Sequence, residues 1–210
     1  MRLIVAICAA LVAAATPASI AVAAPEKEQA PEGFKFKRGD TLVHEASKTE
    51  FPKELAGFTR VYEEPFDLTR HDVAIAYRRE IEGRPVVVRI ALIHIEGMTP
   101  KEHYLGIKSL VGSYFRSIKF ADLKPAGEGP FDPPKMKPGS GYQGRFAALA
   151  DGVPYELSLS TVSYGYWSAR LTAAYPAADA SKSRASVLAL ATVLQTTGPG
   201  KAMKRSNRAR

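Results

Sequence analysis

The feature that most constrains the fold is a run of apolar residues over 86–93 that one charged residue, Arg89, interrupts. A strand this apolar is typical of the interior of a sheet whose two faces are both covered. Residues 82–85 (Glu-Gly-Arg-Pro) just before it are typical of a turn, and residues 73–77 form a strand candidate ahead of that turn. The two strands are therefore predicted to pair antiparallel, with the apolar one at the centre of a sheet.

A helix is predicted directly after the central strand. Thr99 is its N-cap, Pro100 occupies the first helical position, and Glu102 follows three residues after the cap. Apolar residues then recur at helical spacing from Tyr104 to Ile118. The first half of the chain thus has the order strand, strand, strand, helix, since residues 59–66 form a further strand candidate.

The second half of the chain repeats this order. Strand candidates over 142–150 and 155–162 flank Asp151-Gly152, a strong signal for a hairpin turn. A third strand candidate covers residues 166–174.

A closing helix is predicted to begin near Asp179 or Ser181 and to end at Gly198-Pro199. We therefore expect an α+β fold in one domain over residues 51–198. Its antiparallel sheet has helices packed on it and consists of two successive strand-strand-strand-helix units.

Two segments are expected to lie outside regular sheet structure. Residues 24–50 are predicted to be a polar leader with one short strand over 34–37. Residues 121–140 hold five prolines and three glycines and are predicted to be a loop, which suits a lid, a partner contact or a disordered segment.

Residues 1–23 are predicted to be a secretory signal peptide, with a positive charge at Arg2, an apolar core over 3–15, and an A-x-A site at Ala21 and Ala23. The core is shorter than the about 20 residues that a spanning helix needs, so we expect cleavage and no transmembrane segment afterwards. The only cysteine, Cys8, is expected to be removed with the signal. The mature chain is therefore expected in the periplasm or secreted, without a disulfide or a thiolate nucleophile.

The positive charge is concentrated at the C-terminus. Of 29 basic residues, one lies in the signal and five in the last ten residues, which leaves 23 against 21 acidic residues in between. Residues 199–210 are therefore predicted to be a basic, disordered tail. It is either a contact with an anionic envelope surface or another envelope protein, or a solvated terminus. Nucleic acid is not an expected partner, because no aromatic or groove-reading element accompanies the charge.

His94, Glu96 and His103 are the candidate metal ligands. His94 and Glu96 are two residues apart and share one face of a strand, and His103 lies in the first turn of the next helix. Two histidines and a glutamate form a donor set that zinc accepts. A polar strand end beside a helix has the same pattern, so both interpretations stay open. No catalytic residue and no cofactor is predicted.

Residues 139–144 (Gly-Ser-Gly-Tyr-Gln-Gly) fit the pattern G-x-G-x-x-G. A dinucleotide fingerprint follows a strand and opens a helix, whereas this one follows a proline-rich segment and enters a strand. We interpret its glycines as allowing the backbone to bend into the sheet. The aromatic residues Tyr164, Tyr166 and Trp167 are interpreted as cross-strand packing, with stacking on a sugar or an apolar ligand as the alternative.

The element order ends in an aromatic strand that leads through Tyr175-Pro176 into a helix, and it resembles the PsbP-like α/β/α sandwich. Residues 51–58 also resemble uncharacterised exported bacterial proteins. The resemblance covers residues 51–194 by element order and implies a noncatalytic accessory or assembly role.

We accordingly predict a noncatalytic exported cell-envelope protein with a binding, accessory or assembly role. One alternative is an exported metal-dependent hydrolase centred on His94, Glu96 and His103. The other is a carrier of a small apolar ligand, which would use a cavity between sheet and helix.

Overall fold

The computed structural model describes residues 30–38, 40–65, 72–115, 118–134, 136–164 and 166–197. The predicted signal peptide and the predicted basic tail lie outside these residues. The strands are Phe34–Lys37 (β1), Thr41–His44 (β2), Glu50–Phe51 (β3), Glu54–Leu55 (β4), Phe58–Pro65 (β5), Val73–Ile81 (β6), Arg84–His94 (β7), Ala121–Pro130 (β8), Gly141–Ala150 (β9), Val153–Tyr164 (β10) and Trp167–Pro176 (β11). The helices are α1 (Pro100–Ile107), extended by a 3₁₀ helix at Lys108–Tyr114, and α2 (Ala180–Thr197), preceded by a 3₁₀ turn at Ala177–Asp179.

The described strands form two antiparallel sheets. The smaller has the order β1-β2-β3, and the larger has the order β4-β5-β6-β7-β11-β10-β9-β8. β7 lies between β6 and β11, and Val88, Ile90 and Leu92 on it are fully buried. The predicted α+β class, and the central position of the apolar strand, are thereby confirmed.

The large sheet carries one helix on each face. On one face, Tyr104, Val111 and Phe115 from α1 and its 3₁₀ extension pack on Phe146 and Leu157 of the sheet. On the other face, residues Leu190, Ala191 and Leu194 of α2 join a larger core that includes the small sheet. On β10 and β11, successive residues therefore face different helices, because side chains alternate between the two faces of the sheet.

The start of α1 has the predicted caps. Glu102 donates its backbone N–H to the Thr99 hydroxyl at 3.2 Å, and its carboxylate accepts the Thr99 backbone N–H at 2.8 Å. This reciprocal arrangement is a capping box, and Pro100 begins the helix as expected.

The prediction of a loop over residues 121–140 is wrong for its first half. Residues 121–130 form β8, an exposed strand at the edge of the large sheet, paired with β9 through two register shifts. An edge strand tolerates Pro125 and Pro130 because half of its N–H groups point away from the sheet. The second half of the sheet consequently has four strands before its helix, where three were expected.

Residues 30–38 and 40–50, the described part of the segment predicted as a polar leader, contain two strands and the start of a third. Its expected short strand is present as β1, but β2 and β3 add to it and bury Leu42, His44 and Thr49 completely. His44 and Thr49 are both linked to Ser47, since its hydroxyl lies 2.8 Å from His44 Nδ1 and donates to Thr49 Oγ1 at 2.8 Å. The polar composition was misleading because these polar groups bond to one another and not to water.

Across the described ranges, neither helix combines the length and apolarity required to cross a lipid bilayer.

Candidate functional site

A cleft of about 260 Å³ lies between α2 and the face of the sheet formed by β9 and β10. Its lining combines a polar floor with an apolar wall. The lining residues are Phe131, Gln143, Arg145, Ser158, Ser160, Tyr175, Arg184, Val187 and Leu188.

The floor of the cleft is a block of four polar side chains on two neighbouring strands. Ser158 of β10 pairs with Arg145 of β9, and Ser160 pairs with Gln143. Paired residues point to the same face of a sheet, so all four side chains are directed towards α2. Both serines are buried, at 8% and 6% exposure, although the surrounding face is mostly a core. Two buried hydroxyls, an amide and a guanidinium therefore line the same cleft, with the Arg145 guanidinium also lying beside Gly127 of β8.

The walls of the cleft are apolar. Val187 and Leu188 come from α2, and Leu188 keeps 40% of its surface exposed. Phe131 is the third apolar residue of the lining, and its backbone N–H donates to the Gly141 carbonyl at 3.0 Å. A ligand in the cleft would thus meet hydrogen-bonding groups below and hydrocarbon at the sides, the usual composition of a small-molecule site.

The negative charge near the cleft is already neutralised. Arg184 donates from two nitrogens to the two Glu156 oxygens, each at 2.8 Å, and Tyr175 Oη donates to Glu156 Oε1 at 2.7 Å. The hydrogen bond to Glu156 raises the pKa of Arg184, and burial together with Glu156 raises the pKa of Tyr175. Arg184 and Glu156 therefore form a closed, bidentate pair at one side of the cleft.

Arg145 differs from Arg184 in its partners. Its side chain is half-buried, and it makes no ion pair or side-chain hydrogen bond with any residue that the structure describes. The guanidinium carries five N–H donors and a permanent charge. Arg145 is therefore the lining residue whose charge is not matched within the described part of the chain.

The three candidate metal ligands lie around the end of β7. His94 is exposed on β7, with its ring centroid 5.1 Å from that of Trp167 in an edge-on contact. Glu96 is exposed in the following turn, whereas His103 is buried in α1. Within the described ranges, no three His, Cys, Asp or Glu side chains form a group that could hold a metal ion. The structure thus does not bring these three residues together as a metal centre.

His103 instead has a role in packing. Its Nδ1 lies 2.7 Å from the hydroxyl of Ser168 on β11, beneath α1. Burial lowers the pKa of His103 to about 4, with a smaller contribution from the positive charge of Arg170. The ring is therefore neutral at pH 7 and fixes α1 to the sheet.

Two of the three glycines of the G-x-G-x-x-G pattern, Gly141 and Gly144, allow close contacts with the backbone of β9. A Cβ atom on Gly144 would lie 1.9 Å from Tyr104 Oη, and one on Gly141 would lie 2.0 Å from the Phe131 carbonyl oxygen. Gly141 and Gly144 open β9 and do not precede a helix. Gly141 thus allows the approach of Phe131 that forms one wall of the cleft.

No protein-family model matches the chain, and no curated protein matches it either.

The four polar residues at the floor of the cleft were not predicted as a site from the sequence. The signal for it is the alternation Leu-Ser-Leu-Ser over residues 157–160, which separates a leucine face from a serine face. The two-residue turn at Asp151-Gly152 then sets the register that places Arg145 and Gln143 beside the serines. The crossing of α2 over this face had no local sequence signal.

Proposed function

We propose that this chain is a noncatalytic, exported protein of the cell envelope, periplasmic or secreted, that binds a small ligand in the cleft between α2 and the sheet. The observation that carries the proposal is the block of four polar side chains, two of them buried serines, at the base of a cleft with apolar walls. Ser158 and Ser160 are buried, and the Ser158 hydroxyl is hydrogen-bonded to Tyr175, so polar groups are built into the face that α2 covers. A few polar groups beside apolar walls are the usual composition of a small-molecule site.

The chemistry of the lining favours binding over catalysis. The lining contains no histidine, cysteine or carboxylate. Ser158 and Ser160 therefore lack a general base among the lining residues, and a serine is a weak nucleophile without one. The cleft also lies between sheet and helix, where a carrier of a small ligand would hold it.

Two parts of the proposal rest on the sequence alone. Export is supported by the signal-peptide pattern of residues 1–23, and contact with an anionic envelope surface or a protein partner by the basic residues of 199–210. The resemblance to PsbP-like proteins supports an accessory or assembly role and stays a prediction.

The binding test uses saturation-transfer NMR on the purified protein with 1-octanol and octanoate as probes. We expect saturation of the probe in the wild type and its loss in Leu188→Trp, where the larger ring fills the cleft. Ala189→Trp is the matched control, since residue 189 is exposed on the same helix and does not line the cleft. Equal saturation in Leu188→Trp and the wild type, or none with either probe, would overturn the proposal.

A further inference from the structure

We propose that the ligand of the cleft is a small amphiphilic monocarboxylate, whose carboxylate is bound by Arg145 and whose hydrocarbon part lies against Phe131, Val187 and Leu188. This inference rests on the proposed function and adds the chemical class of the ligand.

The charge of the lining points to an anion. Arg184 is compensated by Glu156 through two hydrogen bonds of 2.8 Å, whereas Arg145 has no acidic partner among the described residues. The lining therefore holds one uncompensated positive charge. A cationic ligand would be repelled, and a neutral one would leave the guanidinium without a partner.

A single positive charge favours a carboxylate over a phosphate monoester. A phosphate monoester carries about −1.5 to −2 charges at pH 7. A carboxylate carries one charge, and its two oxygens match the planar fork of a guanidinium. The Gln143 amide and the Ser160 hydroxyl supply further donors on the same floor, whereas the Ser158 hydroxyl is hydrogen-bonded to Tyr175.

The size and polarity of the cleft limit the rest of the ligand. Its volume of about 260 Å³ is slightly below the range of about 300–1,000 Å³ for pockets that hold drug-sized molecules. The polar groups lie on the sheet, whereas Val187 and Leu188 lie on the helix above them. A medium-length acyl chain with the carboxylate directed towards β9 satisfies both surfaces.

The test measures Kd by titration calorimetry for four probes that share one chain: octanoate, 1-octanol, octylammonium and octyl phosphate. We expect octanoate to bind most tightly to the wild type. Arg145→Gln should raise the Kd for octanoate at least tenfold and change the Kd for 1-octanol by less than twofold. Arg78→Gln is the control, since Arg78 is an exposed arginine outside the cleft, paired with Glu80 at 3.3 Å. Arg78→Gln should leave the Kd for octanoate and the Kd for 1-octanol unchanged.

The outcomes separate the two proposals. If octanoate and 1-octanol bind equally well and Arg145→Gln changes neither, the cleft binds ligands but the carboxylate assignment is wrong. The carboxylate assignment is also overturned if octylammonium binds more tightly than octanoate, or if octyl phosphate binds more than tenfold more tightly than octanoate. If no probe binds, the proposed function itself fails. The urea midpoint of Arg145→Gln verifies that the variant is folded. Arg145→Lys keeps the charge but loses the planar fork, so its Kd for octanoate should lie between those of Arg145→Gln and the wild type.

Discussion

Gly144 lies beneath Tyr104 where α1 crosses β9, and its replacement by alanine tests how the glycine pattern contributes to the fold. The added Cβ would lie 1.9 Å from Tyr104 Oη, 2.6 Å from Cζ and 2.9 Å from Cε2. Ordinary contacts begin near 3.4 Å, so the end of the ring has to move by about 1.5 Å. Tyr104 is 1% exposed and its ring centroid lies 5.0 Å from that of Tyr142, which leaves little space for that movement.

The expected cost of Gly144→Ala combines three contributions. Overpacking a core costs about 1–3 kcal/mol. Displacement of the ring also weakens the 2.9 Å hydrogen bond from Tyr104 Oη to Glu128, worth about 1 kcal/mol at a partly exposed acceptor. Alanine in a strand recovers about 0.5–1 kcal/mol relative to glycine. We therefore expect the free energy of unfolding to fall by about 2 kcal/mol.

A double-mutant cycle with Tyr104→Phe identifies the contact responsible. Tyr104→Phe alone loses its hydrogen bond and costs about 1 kcal/mol. It also removes the atom nearest to the new methyl group, so Gly144→Ala should cost only about half as much in that background. Urea denaturation followed by circular dichroism gives the midpoints, and the slope m should stay constant.

Gly106→Ala is the matched control for the cycle. Gly106 is exposed in α1 and has no atom within 4 Å of an added Cβ. Alanine there should stabilise the protein by about 1 kcal/mol through helix propensity. A Gly144→Ala midpoint equal to that of the wild type, or additive effects in the cycle, would refute the close-approach explanation.

Two further predictions concern the dependence of stability on pH. Because the pKa of buried His103 is about 4 in the folded state against about 6.5 when unfolded, the unfolded chain binds more protons between these values. The free energy of unfolding should therefore fall by about 3 kcal/mol as the pH drops from about 6.5 to 4. His103→Gln should remove most of the change in urea midpoint between about pH 6.5 and 4. A variant whose midpoint still falls with pH as steeply as that of the wild type would show that His103 is not the cause. Arg84 donates two hydrogen bonds, at 2.5 and 2.6 Å, to Asp179 and lowers the pKa of that carboxyl. The Arg84–Asp179 contact therefore contributes to the free energy of unfolding above about pH 3.9, the pKa of an aspartate in the unfolded chain. That contribution is lost at lower pH. Asp179→Asn should thus lower the melting temperature at pH 7 and make little difference near pH 2, and an equal loss at both would be inconsistent with an ionic contact.

The parts of the fold that the sequence predicted are those with local signals. The capping box at Thr99 and Glu102 depends on residues three apart, and the hairpin at Asp151-Gly152 needs two positive φ angles, which the structure has at 49° and 79°. The central strand over 86–93 was predictable because a strand that is apolar except for Arg89 is typical of a sheet covered on both faces.

The parts that the sequence did not predict depend on distant partners. β8 is a strand because β9 supplies its hydrogen bonds, whereas its own prolines and glycines disfavour one. His44 and Thr49 are buried because Ser47 connects them and the small sheet covers them. Amino-acid composition gives no information about either kind of contact. The segment that forms β8 and the segment around His44 and Thr49 were therefore expected to be irregular.

The candidate cleft was only partly predictable. Hairpin register and strand alternation together place Ser158, Ser160, Arg145 and Gln143 on one face, and both signals are present in the sequence. Whether that face is solvated or covered depends on where α2 crosses. The bidentate contact of Arg184 with Glu156 helps to fix that crossing, and the two residues are 28 positions apart. The polar face was thus predictable, but its enclosure into a cleft was not.

The two glycines at the start of β9 connect the packing of α1 with the cleft beneath α2. Gly144 and Phe146 face α1, whereas Gly141, Gln143 and Arg145 face α2, because side chains alternate along the strand. A pattern that resembles a nucleotide fingerprint therefore has separate consequences on the two faces of the sheet. On one face it makes room for a tyrosine, and on the other it allows a backbone carbonyl to approach. Substitution of Gly144 should consequently affect stability through α1, whereas substitution of Gly141 should displace Phe131 and alter the cleft as well.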